Sequence, residues 1–140
     1  MPNLTVRDLM SRPVHTLHPT ANLAEVNALM QESRIRHVPI TEDSCKLVGL
    51  ASHRDLLRRA MGGGEHLPNS IRAPYLRSLS VAETMTRDVV TCSPDLPLVK
   101  AARLMLDRKF GCLPVLEGGA LIGILTETDF VRYVADQEER

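Results

Sequence analysis

Gly123-Ile124-Leu125-Thr126-Glu127-Thr128-Asp129 sets a short apolar run against a hydroxyl residue, with a carboxylate three places after it. The same arrangement stands 74 positions earlier as Gly49-Leu50-Ala51-Ser52-His53-Arg54-Asp55. Each copy reads as a buried strand feeding the start of a helix. Ser52 and Thr126 are placed to be N-caps and Asp55 and Asp129 fall at the third helical position, the spacing of a carboxylate variant of the capping box. A second reading is a nucleotide site, since a helix start offers backbone N–H groups to phosphate and a carboxylate beside it can accept both hydroxyls of a ribose diol. Spacing alone favours the box, which is a common helix start; the repetition and its surroundings bear on the site.

The repetition extends through the chain. At an offset of 75, Thr5-Val6-Arg7-Asp8-Leu9-Met10 matches Ser80-Val81-Ala82-Glu83-Thr84-Met85. Each opens on a hydroxyl residue with an acid three places on, the signature of a short capped helix. The offset then pairs Val14 with Val89, Thr16 with Thr91, Pro19 with Pro94, Leu23 with Leu98 and Met30 with Met105, and Val38-Pro39-Ile40 with Leu113-Pro114-Val115. One residue is lost in the next loop, after which Leu47 to Leu57 matches Leu121 to Val131. The sequence is a tandem duplication.

Within each copy the hydrophobic period alternates. Val14 to Leu17 and Val89 to Thr91 read as short strands closed by Pro19 and Pro94. Leu23, Val26, Leu29 and Met30, repeated as Leu98, Ala101, Leu104 and Met105, form a helical stripe. Val38–Ile40 turns through residues 41–46 into Leu47–Ala51, and the second copy uses Glu117, Gly118 and Gly119 for a tighter hairpin. A last helix starts at Ser52 or Thr126; the first of these stops at Gly62, Gly63 and Gly64. The expected organisation is repeat 1 over 1–61, a connector over 62–79 holding Pro68 and Pro74, and repeat 2 over 80–140. The fold class is α+β (α/β), two β-α-β-β-α repeats packed with pseudo-two-fold symmetry, because a unit of roughly 60 residues buries little core alone.

Composition bounds what the chain can do. Its 140 residues are 44% hydrophobic and 24% charged, a globular balance, and 17 basic against 17 acidic residues leave no overall field to draw nucleic acid or an anionic membrane. No apolar run approaches the ~20 residues of a membrane span and no signal-peptide pattern opens the chain, so a cytoplasmic location is expected. Cys45, Cys92 and Cys112 form no C-x-x-C pair, against a disulfide framework or zinc site. The five histidines lack metal-site spacing, and there is no nucleophile elbow or P-loop, so neither a metal nor catalysis is expected. With no tryptophan and only Tyr75, Tyr133, Phe110 and Phe130, an aromatic platform for single-stranded nucleic acid is not available.

The short helix ending in Met10 or Met85, the threonine before proline, the apolar-Pro-apolar strand and the glycine-to-aspartate motif, all twice and in order, resemble a tandem pair of cystathionine-beta-synthase (CBS) domains. The resemblance covers nearly everything except the connector and termini. It implies a regulatory module without catalysis, in which adenosine-containing ligands such as AMP, ADP, ATP or S-adenosylmethionine bind in two clefts, with no obligatory cofactor. Carried over residue by residue, one cleft would join Ser52, Arg54 and Asp55 to Arg36 and His37, with Phe110, Gly111 and the segment near Asp88. Its twin would join Thr126, Thr128 and Asp129 to Ile35, the backbone of Arg36 and the segment near Arg12. In each, the resemblance gives the aspartate the ribose hydroxyls.

The clefts differ in charge. Arg36, His37, His53 and Arg54 gather at the first, whereas Gly111 and Cys112 replace Arg36 and His37 at the second, so phosphate should prefer the Asp55 side. Arg58 and Arg59 read as a solvated helix face. Two functions follow: a ligand sensor acting on another protein, with a homodimer formed through the apolar faces of the last helices, or a ligand-free scaffold for dimerisation or partner docking. The retained Asp55 and Asp129 favour the sensor.

Overall fold

The computed structural model describes residues 3–43, 45–62 and 74–137. Most of the expected connector, including Gly63, Gly64 and Pro68, lies outside the described residues. The order of elements is α1 (Val6–Leu9), α2 (Leu23–Ser33), β1 (His37–Glu42), β2 (Lys46–Ser52), α3 (His53–Gly62), α4 (Val81–Thr84), α5 (Leu98–Arg108), β3 (Cys112–Glu117), β4 (Ala120–Thr126) and α6 (Glu127–Gln137). This is a mixed helix and strand fold with two small antiparallel sheets, β1 with β2 and β3 with β4.

The chain forms two compact units, and their boundaries are not those of the sequence repeats: one is Met1–Val14 with Val90–Arg140, the other His15–Val89. Each unit therefore takes its short helix from the opposite repeat. In the first, Ser11 donates its N–H to the Ile124 carbonyl (2.8 Å) and accepts from Ile124 (3.1 Å). In the second, Leu50 and Thr86 exchange the equivalent pair, each at 2.9 Å. The glycines of the repeated motif make room for this. A Cβ on Gly49 would lie 2.3 Å from Met85 Sδ, and one on Gly123 would lie 2.7 Å from Met10 Sδ.

The first strand expected in each repeat shrinks to one residue. Leu17 bridges Ile40 in parallel, donating to the Pro39 carbonyl (3.2 Å) and accepting from Thr41 (2.9 Å). The next rungs of that ladder would require N–H groups of Pro39 and Pro19, which have none. In the other unit the pairing residue is Cys92, one place beyond the expected Val89–Thr91, and it bonds Pro114 (3.0 Å) and Leu116 (2.9 Å). There Pro114 and Pro94 block the continuation in the same way.

The helical stripes are buried as their period requires: Leu23, Val26 and Met30 in one unit, and Leu98, Ala101 and Met105 in the other. They pack against Val38 and Ile40, and against Leu113, Val115 and Leu125. Asn22 caps α2, accepting the Glu25 N–H at 2.9 Å. Helices α2 and α5 end on Arg34 (φ 54°) and Lys109 (φ 59°) in the left-handed region. The following N–H of Ile35 or Phe110 returns to the carbonyl of Met30 or Met105, both at 3.0 Å. This reversal sets Ile35–Arg36 and Phe110–Gly111 at the entrance to β1 and β3. The first hairpin is longer in strand and shorter in turn than expected, since β1 runs to Glu42 and β2 starts at Lys46. Gly118 (φ 60°) and Gly119 (φ 84°) both supply the positive φ that a two-residue turn with the twist of its strands demands.

Candidate functional site

Each repeated motif becomes a junction where the second hairpin strand meets a helix. At the β2–α3 junction, His37 stands opposite Ser52 in the sheet register. The Arg36 carbonyl accepts the His53 N–H at 2.7 Å, so the first helical donor is already paired. Ser52 Oγ accepts the Asp55 N–H at 3.1 Å and donates to Asp55 Oδ2 at 2.8 Å. The capping reading is thus realised, but it leaves Asp55 half-buried, with exposed Arg36 and Arg54 in the same unit and His37 half-buried. The Leu50–Thr86 pair brings the segment leading to the exposed Asp88 alongside β2.

The β4–α6 junction repeats the backbone and departs in the side chains. Gly111 takes the place of Arg36, its carbonyl accepting the Glu127 N–H at 3.3 Å, and Cys112 stands opposite Thr126. Asp129 is buried, with its side chain only 1% exposed. Its Oδ2 accepts the Thr126 N–H (2.7 Å) and Thr126 Oγ1 (3.2 Å). Its Oδ1 accepts Ser11 Oγ (2.6 Å) and Arg132 Nη1 (3.2 Å). Thr128 and Arg12 are exposed, and Phe110 is half-buried, with the Arg108 guanidinium 5.8 Å from its ring centre.

Ser52, Arg54, Asp55, Arg36, His37 and Asp88 therefore share one unit with Ile35, and Thr126, Thr128, Asp129 and Arg12 share the other with Phe110 and Gly111. Sequence reasoning missed Ser11 and Arg132. The signal for Ser11 was present, because the offset that pairs Met10 with Met85 also pairs Ser11 with Thr86. Nothing in the spacing says that one of these hydroxyls reaches a carboxylate over a hundred residues away.

The cysteines take separate environments. Cys45 is exposed, whereas burial pushes the Cys92 thiol up to about 11 and the Cys112 thiol up to about 12, from 9.0. Raised folded values mean that the neutral thiols favour the fold, a contribution fully present below pH 9.0 and lost as pH climbs toward those values. At neutral pH a maleimide should modify Cys45 quickly, the half-buried Cys92 more slowly, and the buried Cys112 only after denaturation. Three equal rates under native conditions, read by intact-mass spectrometry, would contradict this arrangement. Among the described residues there is no group of three or more His, Cys, Asp and Glu side chains able to hold a metal ion, and no helix long and apolar enough to cross a membrane.

The chain matches the CBS domain family twice, over residues 6–62 and 81–136. It belongs to that family. Among solved structures it is similar to AcuB of Vibrio cholerae, at TM-score 0.83 and 35% identity over 99% of this chain and 95% of that one. It is similar to the CBS domain pair of MJ0100, solved in complex with 5′-methylthioadenosine and S-adenosyl-L-methionine, at TM-score 0.81 and 25% identity over 97% and 99% of the two chains. CBSX2 in complex with AMP aligns at TM-score 0.77 and 31% identity over 97% and 98%. The chain spans only part of the first curated relatives it matches: 42% of MJ1225 from Methanocaldococcus jannaschii, at 31% identity over 93% of this chain, and 23% to 24% of archaeal homoserine O-acetyltransferases.

Proposed function

We propose that the protein is a non-catalytic regulatory module that binds an adenosine-containing ligand, AMP, ADP, ATP or S-adenosylmethionine, at the helix start headed by Asp55. One observation carries this reading. Asp55 is a half-buried carboxylate at the first turn of α3, in one unit with exposed Arg36 and Arg54. A carboxylate so placed can accept a ribose diol, and guanidinium groups suit a phosphate beside a helix N-terminus. The adenosine ligands of the MJ0100 pair and of CBSX2 support the choice of ligand class. In this reading Arg36 and Arg54 favour a phosphorylated ligand, and the signal passes to a separate protein, with the module acting as a cytoplasmic homodimer.

A thermal-shift screen with AMP, ATP, S-adenosylmethionine and GTP tests the proposal. A ligand at 100 times its dissociation constant adds about 2.7 kcal/mol, which is a shift of several degrees in a chain of this size. Asp55→Ala should remove it. Leu57, Val131 and Val134 are 48%, 67% and 66% exposed on α3 and α6, and these apolar positions favour a second reading, a ligand-free dimerisation or docking scaffold. Absence of a shift with any adenosine compound would select the scaffold.

A further inference from the structure

We infer that Ser11 and Arg132 keep the Asp129 junction closed to ligand, so that the chain takes a single adenosine ligand, at Asp55. This rests on the adenosine reading above and adds to it which junction is occupied and what decides it. A carboxylate offers about four acceptor positions, two on each oxygen. At Asp129 all four are filled from within its own unit, two on Oδ2 by Thr126 and two on Oδ1 by Ser11 and Arg132. A ribose diol could bind there only by displacing donors already in place.

Those donors are unequal. Arg132 is 59% exposed, so its ion pair is screened and weak. The Ser11 contact is 2.6 Å long, in the range of a strong hydroxyl-to-carboxylate bond, and it joins two buried or half-buried groups. Ser11 is also held by two backbone bonds to Ile124, so its hydroxyl is fixed in front of Asp129. Asp55 has a different environment. It is half-buried, its Oδ2 takes the Ser52 hydroxyl, and Thr86, the residue in Ser11's place, is exposed. Among the described residues, equivalent junctions therefore carry one carboxylate with acceptor positions left over and one consumed by its own fold. Ligand selects between such states only through a difference in affinity, and the Ser11 bond sets that difference.

Calorimetric titration of the full chain with AMP and with S-adenosylmethionine tests the assignment. The wild type should bind one equivalent of the preferred compound, and Asp55→Ala should bind none. Ser11→Ala should gain a second equivalent, with affinity at that junction raised roughly tenfold or more, as expected for losing a competing bond to a charged group. Arg132→Ala alters an exposed side chain and should raise it by less. Two equivalents in the wild type, binding that survives Asp55→Ala, or no second equivalent in either variant would overturn the inference while leaving the adenosine reading in place. No heat with the wild type and any adenosine compound would remove that reading itself and the inference with it.

Discussion

Asp129→Ala is expected to lower the unfolding free energy by about 3 kcal/mol, whereas Asp55→Ala should cost about 1 kcal/mol. The two residues occupy the same place in the repeated motif, so the difference comes wholly from their surroundings. Removing the Asp129 side chain strips the acceptor from Ser11 Oγ, Thr126 N–H and Thr126 Oγ1, and from Arg132, around a side chain only 1% exposed. Donors left unpaired in a buried setting bear the full cost of desolvation. Asp55 is half-buried, and water can replace it for the Ser52 hydroxyl. Urea denaturation of both variants without ligand provides the measurement; equal losses would mean that the Asp129 network contributes nothing beyond a helix cap. The pair also separates stability from binding, since the mildly destabilising Asp55→Ala is the substitution expected to abolish the ligand response.

Gly49→Val should destabilise the protein by about 2 kcal/mol through overpacking, and Met85→Ala in the same chain should recover more than half of it. A Cβ at position 49 would lie 2.3 Å from Met85 Sδ and 2.7 Å from its Cγ, too close for any rotamer of valine to avoid. Met85→Ala alone should cost about 2 kcal/mol as a buried truncation. The coupling between the two, about 3 kcal/mol in a double-mutant cycle, is the discriminating quantity. Additive losses would show that the methionine does not rest on the glycine. Gly123→Val poses the same conflict with Met10, and there the Ser11 carbonyl, 3.3 Å from the new Cβ, makes the neighbour less able to yield.

The repeated elements were legible because period and capping chemistry act locally. The Leu23–Met30 and Leu98–Met105 stripes, both hairpins and the Ser52 and Thr126 helix starts all follow from residues within a few places of one another. The strand expected at Val14–Leu17 contracts to Leu17 and the one expected at Val89–Thr91 gives way to Cys92 just beyond it, because Pro39 and Pro114 in the neighbouring strand remove rungs as Pro19 and Pro94 do. The pairing of Met10 with Gly123 and of Met85 with Gly49 was not legible, although all four residues stood out in the repeat, because no periodicity reports which copy of a duplicated helix packs on which sheet. Arg36, His37 and their replacements Gly111 and Cys112 give the sequence a charge difference between the two junctions, but the different burial and pairing of Asp55 and Asp129 is not legible there. The Ser11 hydroxyl on Asp129 depends on that same long-range pairing.

The trading of short helices between the halves of the chain also fixes an order of events during synthesis. The first sheet emerges before Thr86, so its Leu50 edge has no partner until that residue has left the ribosome, and α1 likewise waits for Ile124. An exposed strand edge held open over that interval is a template for another nascent chain. A transcript ending between the repeats would yield a polypeptide with a spare helix and an unfinished sheet, able to complete itself only by borrowing from a second molecule.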